Sequence, residues 1–187
     1  MKKQILKTSV LAAVLLSMGM GMAHAADIGD SASVVVSGSI GAPTCALDID
    51  KPGIKLGSVS SANFVANNAL VSPQNFTVSL TGCAAEVDLA GNMKRNVDLK
   101  IMGTNTADGK KYFGKGGAAA GSIAVGLEVK GTPGLLETDA KVQLADLGDP
   151  FVGAKKDFTV GLVAKDISKV KTGESVSVPL TFQLVTR

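Results

Sequence analysis

Cys45 and Cys83 are the residues of this chain with the most chemistry to offer, and they stand 38 residues apart. That spacing is far too long for a CxxC redox pair, whose two thiols must lie within one turn of each other. The remaining candidates for chemistry are thin. The only histidine is His24, and tryptophan is absent. Carboxylates come closest together at Asp48 with Asp50 and at Asp146 with Asp149, both beside turn residues. Solvated turn carboxylates are the ordinary reading of such pairs.

The first 25 residues decide which of these groups are kept. Lys2, Lys3 and Lys7 precede an apolar run from Val10 to Leu16, and Ala23-His24-Ala25 is a small-x-small cleavage site. This is the pattern of a secretory leader, and its apolar run is too short to span a bilayer. Cleavage would leave 162 of the 187 residues, enough for one domain with a real core. It would also remove the only histidine. A chain without histidine cannot run a Ser-His-Asp or Cys-His mechanism, nor build a His-containing metal site. No catalytic, cofactor-binding or metal-ligating residue is nominated, and the chain is read as no enzyme.

The same cut resets the charge. The excess of 19 basic over 16 acidic residues is supplied by the three leader lysines, so the mature chain is neutral. Nucleic-acid binding rests on an excess of positive charge, and none remains. In an exported chain an even cysteine count reads as one disulfide, Cys45 with Cys83, rather than as two free thiols. Closing a loop of that length is worth about 4 kcal/mol in the chain-entropy model.

The elements that must position these residues are strands. Apolar residues recur at every second place in Phe76–Leu80, Val97–Ile101, Ile123–Val129, Phe158–Ala164 and Val176–Leu184. Shorter strands are expected at Val34–Ile40, Cys45–Ile49 and Ile54–Val59. Turn signals fall between them at Lys51-Pro-Gly, Ala107-Asp-Gly, Thr132-Pro-Gly and Gly148-Asp-Pro. Many short strands without a helical period predict an all-β, immunoglobulin-like antiparallel sandwich, with a barrel as the structural alternative. The stretch from Asn105 to Gly121, with Tyr112 and several lysines and glycines, reads as a solvated connection. The alternative for it is a loop offering Tyr112 as a stacking ring to a sugar or acidic partner.

Both ends of the mature chain also alternate, which is unusual where termini ordinarily fray. The order of pieces resembles the structural subunits (pilins) of chaperone–usher fimbriae. The pieces are Val34-Val-Val-Ser-Gly38-Ser-Ile40 leading to Cys45, Ile54-Lys-Leu56-Gly57, Phe76–Leu80 closing on Cys83, Ala124-Val-Gly126-Leu127, and Gly173 before the final alternation. The resemblance covers residues 26–187.

It implies a division into a leader (1–25), an N-terminal donor-strand extension (26–37) and a pilin domain (38–187). The domain would be a sandwich missing its last strand, and the resulting groove would be filled first by a strand of a periplasmic chaperone. In the fibre, the extension of the next subunit would replace that strand. Carried over by position, the donor face is Ile28, Ala32, Val34 and Val36, with Ala32 where the family places a glycine. The groove and chaperone-facing strand is Val176, Val178, Leu180, Phe182 and Leu184, and Arg187 bears the carboxylate that the chaperone would grip. The implied partners are identical or related pilins, the chaperone and an outer-membrane usher, and no cofactor is implied. The product would be a fimbria on the surface of a Gram-negative bacterium, supporting adhesion, with a host surface receptor as a further partner. The alternative within the same system is a minor or adaptor subunit, or a carbohydrate-binding adhesin.

Overall fold

A computed structural model of the protein describes residues 30–38, 45–83, 86–115 and 121–187, the first stretch by its backbone alone. The expected leader and Ile28 lie outside these residues. The alternating runs become eleven strands: β1 (Asp30–Gly38), β2 (Ala46–Ile49), β3 (Gly53–Val59), β4 (Val71–Thr81), β5 (Val97–Gly103), β6 (Asn105–Thr106), β7 (Gly109–Phe113), β8 (Ala124–Val129), β9 (Lys141–Ala145), β10 (Lys155–Val163) and β11 (Val176–Thr186). The turn signals at Thr132-Pro-Gly and Gly148-Asp-Pro fall between strands, and those at Lys51-Pro-Gly and Ala107-Asp-Gly end on the first residue of β3 and of β7, where Pro and Gly interrupt a ladder least. Two single 3₁₀ turns, Ser61–Asn63 and Ile167–Lys169, are the described helical pieces.

The strands form two sheets, ordered β3-β1-β11-β5-β9 and β2-β4-β10-β8-β7-β6. Their facing sides carry the alternating apolar residues. Ile54 and Leu56 of β3, Phe76, Val78 and Leu80 of β4, and Leu99 and Ile101 of β5 are buried, as are Val176, Val178, Leu180 and Phe182 of β11. Phe76, Phe158 and Phe182 meet at the centre, with ring centroids 5.0 to 5.8 Å apart. Tilted and edge contacts of this kind add about 0.5–1.5 kcal/mol per pair beyond the area they bury. This is the immunoglobulin-like sandwich that the alternation predicts.

The second sheet is also covered on part of its outer side. Ala124, Val163 and Tyr112 form a small separate cluster with Leu135 packed against it. The cover demands glycine beneath it. Gly126 of β8 pairs with Gly161 of β10. A Cβ on Gly126 would stand 2.8 Å from both Leu70 and Leu135, and one on Gly161 would stand 3.0 Å from the Val71 carbonyl oxygen. The glycine in the middle of the Ala124–Leu127 run is thus a packing requirement.

The structure corrects the reading of Asn105–Gly121 as an open connection. Residues 105–113 form the β6–β7 hairpin, and Tyr112 and Phe113 are buried. The Tyr112 hydroxyl donates to Asn68 Oδ1. A ring held this way is not presented as a stacking platform.

Candidate functional site

One strand departs from the antiparallel rule. β1 runs parallel to β11 while pairing antiparallel with β3. It is the only link between them, because β3 and β11 flank β1 in the sheet and are not paired with each other. Removing residues 30–38 would leave a gap one strand wide. The unpaired edges of β3 and β11 would face each other across it, above the buried side chains of both strands. Such a groove exposes both apolar surface and strand edges, the two features that promote association.

β1 lies along this groove in a definite backbone register. Ala32, Val34 and Val36 lie opposite Val176, Val178 and Leu180 of β11, and Val34 also lies opposite Ile54 of β3. On the acceptor side, Val176, Val178, Leu180 and Phe182 are buried, and Leu184 is partly buried against the same core. The strand sequence met for the donor segment was one bound for a neighbouring molecule; in the single chain it lies in the chain's own groove. Pro179, which cannot donate to a ladder, sits opposite Val35 and one residue before the pairing of β11 with β5 begins at Leu180.

Ala32 marks an irregularity. The register of β1 with β3 slips between Ala32 and Ser33, so Leu56 is the extra residue, and Gly57 opposite Ala32 takes φ of 73°. This is a bulge built on a glycine in the left-handed region, where a Cβ would be strained. The Leu56 carbonyl that the bulge turns away accepts from Ser72 Oγ at 2.6 Å. The sequence reading names Leu56 and Gly57 only as part of a strand motif and does not single out Ser72; the glycine inside a strand was the available signal for the bulge.

The disulfide anchors the root of the segment. Cys45 and Cys83 are bonded, and Ala46 and Thr81 just inside them are strand partners. The chain runs from Gly38 through six residues to this fixed point.

The side chain of Arg187 has partners within the domain. Its Nε stands 2.9 Å from Asp98 Oδ1 and its Nη2 donates to Asp146 Oδ1 at 2.7 Å. Its backbone N–H also donates to the Asn96 carbonyl. The Asp98 side chain is only 4% exposed. Arg187 is therefore the counter-charge of a buried carboxylate. The Nε contact is one of charge proximity, since Asp98 Oδ1 receives no aligned hydrogen bond. The sequence shows Asp98 only as a polar residue on the outward face of β5; that the chain terminus folds over it is a matter of tertiary packing.

An open cleft of about 610 Å³ lies away from the groove, lined by Asp108, Ser122, Lys165, Lys169, Lys171 and Glu174 among others. Glu174 is spent internally, accepting from the Ser122 and Ile123 N–H groups and from Ser122 Oγ. Hydrogen bonds from Ser168 hold Asp166 below the usual carboxylate range. Burial, helped by the charge of Asp108, pushes the Tyr112 hydroxyl above its ordinary value. Among the described residues no cluster of three or more His, Cys, Asp or Glu could hold a metal ion.

Comparison with known proteins bears on this arrangement. The family model described as fimbrial protein matches residues 34–176, from the donor segment to the first residue of β11. The chain belongs to the fimbrial protein family. Among solved structures, it is similar to the P pilus rod subunit PapA, with a TM-score of 0.53 and 18% identity over 78% of this chain and 92% of that one. It is also similar to a subunit of a chaperone–usher pilus studied for rod uncoiling, with a TM-score of 0.53 and 16% identity over 81% of this chain and 92% of that one. At these identities the structural likeness speaks to the fold, and the fold is that of a pilin. A sequence search of curated proteins finds no match. Family membership agrees with the sequence resemblance to fimbrial subunits.

Proposed function

We propose that this fimbrial protein is a polymerising subunit of a chaperone–usher fimbria, in which residues 28–36 of one copy fill the groove between β3 and β11 of the next. The observation that carries the reading is the one-strand gap, bridged by a terminal segment that is joined to the domain by a single linker and paired along its whole described length. A strand so held can be exchanged for an identical one from another copy without disturbing any other strand.

The energetics favour a long-lived joint. Full burial of valines such as Val34 and Val36 is worth about 1.5–3 kcal/mol each, and ladder hydrogen bonds on both edges add to that. Before assembly, the groove is the surface that a periplasmic chaperone strand would cover, with the free carboxylate of Arg187 as its second contact. An outer-membrane usher would then receive the subunit, and the cell surface would be its destination. Adhesion follows from the fibre that results. The test is removal of residues 26–37 from the mature chain. The shortened chain should fail to form fibres and should be retained with its chaperone, and a synthetic peptide of residues 26–38 should return it to a soluble monomer. Fibres built by the shortened chain would refute the exchange.

A further inference from the structure

The strand in the groove meets two unlike edges. Along β11 its ladder is unbroken, from Ala32 opposite Val176 to Gly38 opposite Phe182. Along β3 the ladder breaks. Ala32 lies opposite Gly57 and Ser33 opposite Lys55, so Leu56 is the one residue of β3 without a partner in β1.

The difference bears on register. A shift of one residue turns every side chain of a strand to the other face, but a shift of two keeps the faces as they are. Little in β1 itself resists the second kind of shift, because Ala32, Val34 and Val36 repeat at the same spacing as Val176, Val178 and Leu180. An unbroken ladder fits either seating. The break in β3 does not, since the backbone of β3, with Gly57 at φ of 73°, fixes where it stands. A strand moved by two residues would bring Asp30 or Val34 to the bend that Ala32 occupies.

A contact from the opposite sheet holds this bend. Leu56 is buried, and its carbonyl accepts from Ser72 Oγ at 2.6 Å. Ser72 lies in β4, a strand of the other sheet. The ladder of β4 with β10 is irregular at the same place, with Gln74 opposite Val160 and Val71 opposite Leu162. Ser72 stands at φ of 52°, a left-handed conformation that is costly for a residue with a Cβ. Pro73 follows it, and proline ordinarily drives its predecessor to extended backbone. Local preference therefore opposes this conformation. What the conformation achieves is tertiary: the hydroxyl crosses the sandwich and satisfies the carbonyl of the unpartnered Leu56. An acceptor stripped of its donor there would lose that bond without regaining full hydration. Two irregularities, one in each sheet, are tied by this single hydrogen bond.

We propose that Ser72 is a positioning residue for the groove: its hydroxyl holds the Leu56 carbonyl and so fixes the bulge of β3 that admits a strand in one register. The proposal deepens the polymer reading above and rests on it for its purpose, because the strand that Ser72 places is the one proposed to pass between copies. The bulge belongs to β3 and the hydroxyl to β4, so both are present for whichever copy's segment enters.

The test reads the register in the full mature chain, disulfide intact, with β1 in its own groove. Backbone proton contacts measured by NMR give the partners of residues 32–36. Amide hydrogen exchange of the same residues, taken relative to Leu99 and Ile101 in the core, gives how often the strand leaves them. Ser72→Ala removes the hydroxyl and keeps the strained backbone, whereas Ser72→Gly removes the hydroxyl and relieves the strain. The two variants share only the loss of the donor. Wild type should show one set of partners, Ala32 with Gly57 and with Val176. Both variants should show a second set displaced by two residues, and their strand amides should exchange about tenfold faster relative to the core. Variants that keep the wild-type set alone, or that speed strand and core equally, overturn the proposal, since a role confined to domain stability gives that result. A change in one variant only overturns it as well, because it traces to the backbone and not to the hydroxyl. A chain whose register depends on Ser72 but which forms no polymer supports the positioning role and overturns the polymer reading. A chain that polymerises with its register unmoved by either variant does the reverse.

Discussion

Arg187→Ala should be more damaging than its position at the last residue suggests. The substitution removes the guanidinium 2.9 Å from Asp98 and leaves a carboxylate that is 4% exposed without its counter-charge. Breaking a fully buried ion pair from one side costs about 3–5 kcal/mol, whereas an exposed pair is worth about 0.2–1 kcal/mol. Asp98 belongs to the first class, but Arg187 is 41% exposed and water can partly replace it. An intermediate loss of about 2–3 kcal/mol follows. Asp98→Asn removes the charge that needs compensating, so the pair Asp98→Asn with Arg187→Ala should be more stable than Arg187→Ala alone by about 1 kcal/mol or more. The assay is urea unfolding of the mature monomer with its disulfide intact, followed by two probes and analysed with a common slope. A loss below about 0.5 kcal/mol for Arg187→Ala, the range of ordinary surface changes, would refute the reasoning. So would a double variant no more stable than the single one.

Phe182→Ala opens the centre of the three-ring cluster on the groove strand and should cost about 3–5 kcal/mol in the same unfolding assay. Replacing both cysteines by serine frees a 38-residue loop and should lower stability by about 4 kcal/mol, read as a shifted urea midpoint against the oxidised wild type. Gly57→Ala places a Cβ at φ of 73° in the bulge opposite Ala32; a loss of about 1 kcal/mol is expected, with no change for the same substitution at an exposed extended position. Tyr112 gives a pH signature. Its hydroxyl is held above its ordinary value by burial first and by Asp108 second, so the unfolded chain releases the proton more readily. Stability is therefore full below about pH 10, the ordinary tyrosine value, and falls as pH rises past it. Tyr112→Phe should flatten that fall while losing the hydrogen bond to Asn68.

Much of the fold was legible because a strand with one buried face repeats with period two. Phe76–Leu80 and Val176–Phe182 alternate cleanly, and each alternate residue is buried. The hairpin at 105–113 was not legible, since lysines and glycines dominate it. Its burial comes from two residues, Tyr112 and Phe113, packed under partners distant in sequence. The groove strand was legible from its alternation and from its resemblance to fimbrial subunits. The bulge at Leu56-Gly57 and the counter-charge for Asp98 were not, because each depends on which strand lies alongside.

By itself the sequence determined the all-β class, the strands, the single pair of cysteines and the resemblance to fimbrial subunits, all properties of local periodicity, spacing and order. Only the tertiary structure decided that β1 lies between β3 and β11, that it runs parallel to β11, and that Arg187 covers Asp98. The physical reason is that a strand's own residues state which face is buried but not which edge it will pair with or in which direction. Those choices are made by the edges left open when the rest of the sandwich has formed.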